Sequence, residues 1–328
     1  AGLSGAFQMP ATAASITMMV PKEQLGRANG MMSLIYSTSN VAAPLLAGAL
    51  IGVLGIGGIM MIDVVTFLFA AISTALIQIP QPTSSAEMEE DQGSIWQGYT
   101  FGFRYIFQRP SLLGVQLIFF FFNLTSIFEM ALRTPLILAR TGENEQILGC
   151  VLSISGVGGV LGGIVMSTWG GPKKRIHGVL GGMIVAAFLG IALMGLGQSL
   201  IVWGIAAFWM VFCIPFINGS NQAIWQAKVP PALQGRVFSA RRVIAQASYL
   251  IGFVVAGPLA DRVFDPAMQE GGSLAVLFGG IFGVGDVAGI GLFITLCGIL
   301  GVLFSASGYL IPAVRNVETL IPDHKEPK

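Results

Sequence analysis

Val20-Pro21-Lys22-Glu23-Gln24-Leu25-Gly26-Arg27 and Val229-Pro230-Pro231-Ala232-Leu233-Gln234-Gly235-Arg236 are two versions of one segment, 209 residues apart. Extended without a gap over 20–50 against 229–259, nine of 31 positions are identical. They include Ile35/Ile244, Ser39/Ser248, Ala47-Gly48/Ala256-Gly257 and Leu50/Leu259. An apolar composition produces scattered matches of Ile and Ala. It does not put Val-Pro and Gly-Arg in register inside a polar loop. The chain therefore carries an internal repeat, and each copy is a loop that feeds an apolar run.

The solvent around those runs follows from composition. Hydrophobic residues make up 54% of the chain and charged residues only 10%, against roughly 25% charged in a soluble domain. Mean hydropathy is +0.78. A chain of 328 residues this poor in charge cannot cover a water-facing surface, so most of its outside faces a lipid bilayer. The net charge of +1 gives no basis for a nucleic-acid partner. The 44 glycines fit helices that approach closely within a membrane.

Nine apolar runs are long enough to count as spans: about 1–19, 31–54, 57–79, 112–138, 147–168, 177–197, 199–226, 237–260 and 287–312. Numbering the connections alternately puts fourteen of the 17 Lys and Arg residues on one side, among them Lys22, Arg27, Lys173, Lys174, Arg175, Lys228 and Arg236. Only Arg133, Arg140 and Arg262 fall on the other. The positive-inside rule makes the first side cytoplasmic, with the tail 314–328. Residues 80–111 read as a cytoplasmic linker. Its second half spaces Trp96, Tyr99, Phe103, Ile106 and Phe107 as an amphipathic helix on the membrane face, or as an extension of the next span. Leu274–Val284 is too short to span and reads as an external re-entrant or interfacial piece. The expected domains are thus 1–79, 80–111, 112–313 and 314–328.

Both repeat copies lie on the cytoplasmic side and feed an outward-going helix. The repeat is therefore parallel, with its axis along the membrane normal. The segments carrying a family resemblance are Phe7-Gln8-Met9-Pro10-Ala11, Val20-Pro21 through Arg27-Ala28-Asn29, Ala43-Pro44-Leu45-Leu46-Ala47-Gly48, Met61-Ile62-Asp63 through Phe67, Leu148-Gly149, Gly156-Val157-Gly158-Gly159 and Gly257-Pro258-Leu259-Ala260-Asp261. Together they resemble the major facilitator superfamily, in its macrolide-efflux and siderophore-exporter branch. The resemblance implies an all-α polytopic bundle whose runs are helices four to twelve of twelve. The first helix after the linker starts near 112, so its counterpart would start near −97. By that count about 100 residues, carrying roughly the first three helices, would precede Ala1. The exporter motif of the fifth helix matches Ser39, Ala43-Pro44 and Ala47-Gly48, with its glycines degraded. The loop motif between helices eight and nine matches Gly170-Gly171-Pro172-Lys173-Lys174-Arg175, without its usual Asp.

Ionisable groups at membrane depth are candidates by default, since each costs about 2.5–3.5 kcal/mol on insertion scales. Glu129 and, one turn on, Arg133 stand in the seventh helix, which the resemblance makes cavity-lining. They read as a proton- or substrate-handling pair, or as a structural salt bridge. Asn123, Asn218, Asn221, Gln222 and Gln226 are donors and acceptors suited to a bulky amphiphile in an apolar cavity, or to gluing helices. Arg241 and Arg242 align with Met32 and Ser33 in the repeat and read as a cytoplasmic gate or as ordinary positive-inside charges. Arg27 and Arg236 would neutralise helix C-terminal carbonyls and hold the cytoplasmic face together. Pro44, Gly48 and Asp63 are further conformational candidates. For Asp63 a structural hydrogen bond or cap is the plainer reading.

Cys150, Cys213 and Cys297 lie far apart in apolar runs, and His177 and His324 sit in polar segments, so neither metal nor cofactor is expected. A membrane enzyme would need clustered His, Asp or Ser, and no nucleotide-binding P-loop is present. The expected function is a secondary exporter of small amphiphiles, proton-coupled, monomeric and in a bacterial plasma membrane. A lysophospholipid flippase of the same superfamily and a transport-inactive fragment are the alternatives.

Overall fold

A computed structural model describes residues 12–76, 95–285 and 287–323. The side chains of 40–49, 51–53, 74–75 and 95–99 lie outside that description. So do the expectations that fall on Phe7–Ala11, on the linker before Ile95 and on His324. Among the described residues the fold is helical throughout. We number residues 12–19 as α1, Leu25–Leu76 as α2, Ile95–Phe107 as α3 and Pro110–Thr141 as α4. Glu145–Trp169 is α5, Arg175–Leu196 is α6, Leu200–Lys228 is α7 and Pro231–Met268 is α8. Ala275–Phe282 is α9 and Ala288–Leu310 is α10.

Seven helices among the described residues are long and apolar enough to cross a membrane: the Leu54–Ser73 part of α2, then α4, α5, α6, α7, α8 and α10. The first expected span is described only from residue 12. The runs 31–54 and 57–79 meet inside α2 at Gly55, whose φ of 61° and ψ of −178° lie outside the helical region. Beyond that break the described side chains are almost all exposed, Phe67 and Phe69 among them. Pro44 and Gly48 lie within α2, in the stretch whose surroundings are not described.

The repeat is visible in the backbone. Pro21 has φ −55° and ψ 145°, and Pro230 has φ −53° and ψ 138°. Each carbonyl accepts an amide three residues on at 2.9 Å, from Gln24 and from Leu233. One turn thus opens both α2 and α8. Proline fixes φ and tolerates the first helical turn, where its missing N–H has no intrahelical partner.

Glycines set how closely the helices approach. α5 packs between α2 and α7. A Cβ on Gly158 would sit 2.5 Å from the Phe208 carbonyl oxygen, and one on Gly162 would collide with that of Phe212, both on α7. Gly163 faces Leu34 of α2, and Gly159 sits between Val211 of α7 and Ser37 of α2. Gly162→Ala is expected to destabilise the bundle by about 1–3 kcal/mol, because backbone must move. Gly149→Ala, with nothing within 4 Å of the new Cβ, is expected to be neutral or stabilising by up to about 1 kcal/mol. Thermal unfolding in detergent checks both; equal melting temperatures would contradict the packing argument.

Three segments differ from the simple span pattern. α3 is separate from α4, divided at Gln108-Arg109, and packs Phe101, Tyr105 and Ile106 inward against α8 and α4. Phe107 on the same helix is exposed, so only part of its apolar side meets protein. α8 runs past the expected end at 260 and widens into a π turn over Ala260–Phe264, just after Pro258 removes an amide donor. After it, α9 is eight residues long, too short to span, with Val276 and Leu277 exposed.

The helix ends near Lys22, Lys173, Arg175 and Lys228 form one basic end, where the chain's tail returns. The buried Lys228 Nζ donates to the carbonyls of Glu318 and Ile321 at 2.5 and 2.6 Å and pairs with Asp323 at 2.7 Å. Glu318 Oε2 accepts the Ile176 amide at 3.1 Å, a carboxylate at the start of α6. At the opposite end Arg140 Nη1 donates to the carbonyls of Gly195 and Gly197, where α6 stops.

Candidate functional site

A cavity of about 390 Å³ lies where α1, α2, α4, α7 and α8 converge, a size that suits a small-molecule ligand. α2 contributes Asn29, Met32, Ser33 and Tyr36, at the i, i+3, i+4, i+7 spacing of one helix face. α8 contributes Phe238, Arg241, Arg242 and Ala245. Each of these is its α2 counterpart plus 209: Asn29/Phe238, Met32/Arg241, Ser33/Arg242, Tyr36/Ala245. The same offset relates Thr12 of α1 to Asn221 of α7, and Ala13 to Gln222, and all four line the cavity. Six repeat-related pairs thus face one another, so the cavity sits on the pseudo-twofold axis between the halves. Gln116 and Phe119 of α4 and Asn218 and Gly219 of α7 complete it.

The lining is asymmetric in charge. Met32 and Ser33 are answered by two arginines. Arg241 is held on three sides: Nη1 donates to Gln222 Oε1 at 3.1 Å, and the guanidinium lies 4.3 Å from the Trp225 ring centre and 5.5 Å from that of Phe238. The Trp225 indole is fixed in turn by donating to Asn221 Oδ1 at 3.1 Å. Such stacking over aromatic faces is typical of arginine.

On the basic side of the cavity a buried polar network crosses between the halves. Asn29 Nδ2 donates to Gln226 Oε1 at 2.7 Å, and Gln226 Nε2 donates to the Ala13 carbonyl at 3.0 Å. Thr17 Oγ1 donates to Gln234 Oε1 at 2.9 Å, and Gln234 Nε2 to the carbonyls of Gln226 and Val229. Thr17 and Gln226 are themselves repeat partners, 209 apart, each bonded across to the other half. Nearer the loops, Arg175 donates to the Lys22 carbonyl on one side and to that of Ala223 on the other.

Of the residues singled out from sequence, Asn218, Asn221, Gln222, Arg241 and Arg242 converge on this cavity. Glu129 and Arg133 do not. They form a two-point ion pair at 2.6 and 2.8 Å, with Glu129 only 1% exposed. Asn123, half-buried on α4, also lies off the lining. Arg27 lies against Gly170, the left-handed residue that ends α5, in a separate cleft of about 580 Å³ at the basic end. Its repeat partner Arg236 sits instead 5.2 Å over the Phe101 ring of α3. Asp63 is exposed on the outer part of α2. Asn29, Gln116, Thr17 and Gln234 were not singled out. Adding 209 to each polar residue of α1 and α2 would have flagged the Thr17/Gln226 pair.

A family model described as Major Facilitator Superfamily matches residues 1–253. The chain belongs to the major facilitator superfamily. Among curated proteins it is similar to Macrolide efflux protein A of Streptococcus pyogenes, 26% identical over 272 residues, which is 79% of this chain and 64% of that protein. The chain therefore spans less than two thirds of that relative's length. Macrolide efflux protein A of Enterococcus faecalis is 26% identical over 261 residues, covering 75% of this chain and 76% of that one. An uncharacterized MFS-type transporter of Bacillus subtilis, YkuC, is 26% identical over 241 residues, covering 70% and 55%. No solved structure matches. A major-facilitator carrier places its central site between two repeat-related halves, and the cavity bounded by the six 209-offset pairs has that position.

Proposed function

We propose that the protein is a secondary active exporter of small amphiphilic molecules that works by alternating access. One observation carries the reading: repeat-related positions of both halves line a single cavity, so rocking one half against the other would open that cavity at alternate ends. An apolar wall (Phe119, Tyr36, Phe238, Met32) with a belt of amides (Gln116, Asn218, Asn221, Gln222) suits a bulky ligand of mixed polarity. The charge bias makes the basic end cytoplasmic. The Asn29–Gln226 and Thr17–Gln234 network then lies between cavity and cytoplasm, and the described conformation is the one closed on that side. Similarity to macrolide efflux proteins supports outward transport. Proton drive is part of the proposal and rests on the family alone.

The test is dye accumulation in bacterial cells stripped of their own efflux pumps. Cells making this protein are expected to hold several-fold less of an amphiphilic dye than cells with the empty vector. A protonophore is expected to abolish the difference. Equal accumulation across dyes of either charge would overturn the exporter reading, and protonophore-resistant efflux would overturn proton drive alone.

A further inference from the structure

We infer that Arg241 is the subsite for an anionic group, so that the cavity selects amphiphiles bearing a carboxylate, sulfonate or phosphate over neutral and cationic ones. This rests on the transporter reading and names its substrate class. Arg241 is ten residues into α8, about 15 Å along the helix axis from Pro231. A guanidinium at that depth is costly unless compensated, yet no carboxylate compensates it. The cavity lining holds no Asp or Glu. The ion pairs of Glu129 with Arg133 and of Asp323 with Lys228 lie away from it. Residues 1–11, next to the lining stretch of α1, contain no acid either.

The polar contacts of Arg241 are incomplete as well. Nη1 reaches one neutral oxygen, that of Gln222, while Nε is buried with no acceptor. A guanidinium has five donors in a planar fork that fits a carboxylate or phosphate at two points. Trp225 and Phe238 fix that fork from its side without neutralising it. The repeat partner of Arg241 is Met32, so the charge is a property of one half and gives the cavity an orientation. An anion would dock on the α8 side, leaving its apolar body toward Met32, Tyr36 and Phe119.

Three probes on one ring system test this: 9-anthracenecarboxylate, the near-isosteric 9-anthracenecarboxamide and the bulkier 9-anthracenylmethyl trimethylammonium ion. Their binding is measured on the chain in nanodiscs of zwitterionic lipid, with empty nanodiscs subtracted. The carboxylate is expected to bind about tenfold tighter than the amide, and the ammonium more weakly still. Arg241→Gln is expected to erase the preference. Gln222→Glu is the stricter variant: it is isosteric, leaves Arg241 in place and gives it an internal partner. It is expected to erase the preference while melting no lower than the unaltered chain, which a merely structural arginine would not produce. Equal binding of carboxylate and amide, tighter binding of the ammonium, or a carboxylate preference that survives Gln222→Glu would each overturn the inference while leaving the cavity as a binding site. Binding of none of the three would overturn the cavity reading and this one with it.

Discussion

Replacing Arg133 by Met is expected to cost the bundle about 3–5 kcal/mol, the largest loss any single substitution discussed here produces. Glu129 is 1% exposed and meets Arg133 through two short hydrogen bonds. Removing the arginine leaves a carboxylate in a low-dielectric interior with both oxygens stripped of donors. Glu129→Leu with Arg133→Met is expected to recover most of the loss, because two apolar side chains of similar volume need no compensation. Thermal unfolding in detergent reads both. A single variant as stable as the original would show that water or another group reaches Glu129. The double variant also decides the role of the pair in transport. If it is stable and still exports dye driven by a proton gradient, Glu129 and Arg133 are structural; if it is stable but uncoupled, they carry the proton. The geometry favours the structural outcome, since the pair lies off the cavity and each group satisfies the other.

The architecture was legible because its signals are collective. Apolar runs of span length, fourteen cations on one side against three, and a 209-residue repeat each draw on many residues, so local exceptions do not disturb them. The repeat recurs in the paired backbone angles of Pro21 and Pro230 and in the six pairs that line the cavity. Helix boundaries were less legible. The run expected over 237–260 continues to Met268, since the donor missing at Pro258 is absorbed by a wider turn. The amphipathic pattern of α3 is real but says nothing of what covers its apolar face. Lipid and α8 are equally apolar partners, and only three-dimensional contact distinguishes them.

Site residues divided along similar lines. Asn218, Asn221 and Gln222 stood out because amides are conspicuous in an apolar helix, and all three line the cavity. Glu129 stood out more sharply on the same ground and lies elsewhere. Polarity at depth shows that a group must be satisfied, not by what. For Glu129 the partner was one turn away in sequence. For Arg241 it is a neutral amide and two aromatic rings. Arg27 and Arg236 have equivalent sequence settings, yet one lies against a helix end and the other over Phe101. Repeats preserve backbone more faithfully than side-chain environment.

Gln226→Leu is expected to loosen the basic end of the cavity and raise its accessibility from that side by about 5- to 150-fold. The side chain carries two bonds across the halves, accepting from Asn29 and donating to the Ala13 carbonyl. At roughly 0.5–1.5 kcal/mol net apiece, their loss shifts the balance between closed and open forms by about 1–3 kcal/mol. Leucine has nearly the volume of glutamine, so packing is retained while the bonds are not. The reporter is Ser33→Cys, a near-isosteric change on the cavity wall, in a chain whose Cys150, Cys213 and Cys297 are replaced by Ala. Its alkylation rate by a membrane-impermeant maleimide is measured in inside-out vesicles, with and without Gln226→Leu. A fivefold or greater acceleration fits a closure held by these bonds. An unchanged rate in a correctly folded variant would mean that Thr17–Gln234 and the Arg175 bridge suffice to hold that end shut. Gln234→Leu separates the two contributions, because it breaks the Thr17 bond and leaves Asn29 and Gln226 in place. If the accelerations of the two variants multiply in the double variant, both bonds break in one opening step and the halves part at this end as one unit. Such an all-or-none opening is what a carrier that exposes its site to one side at a time requires.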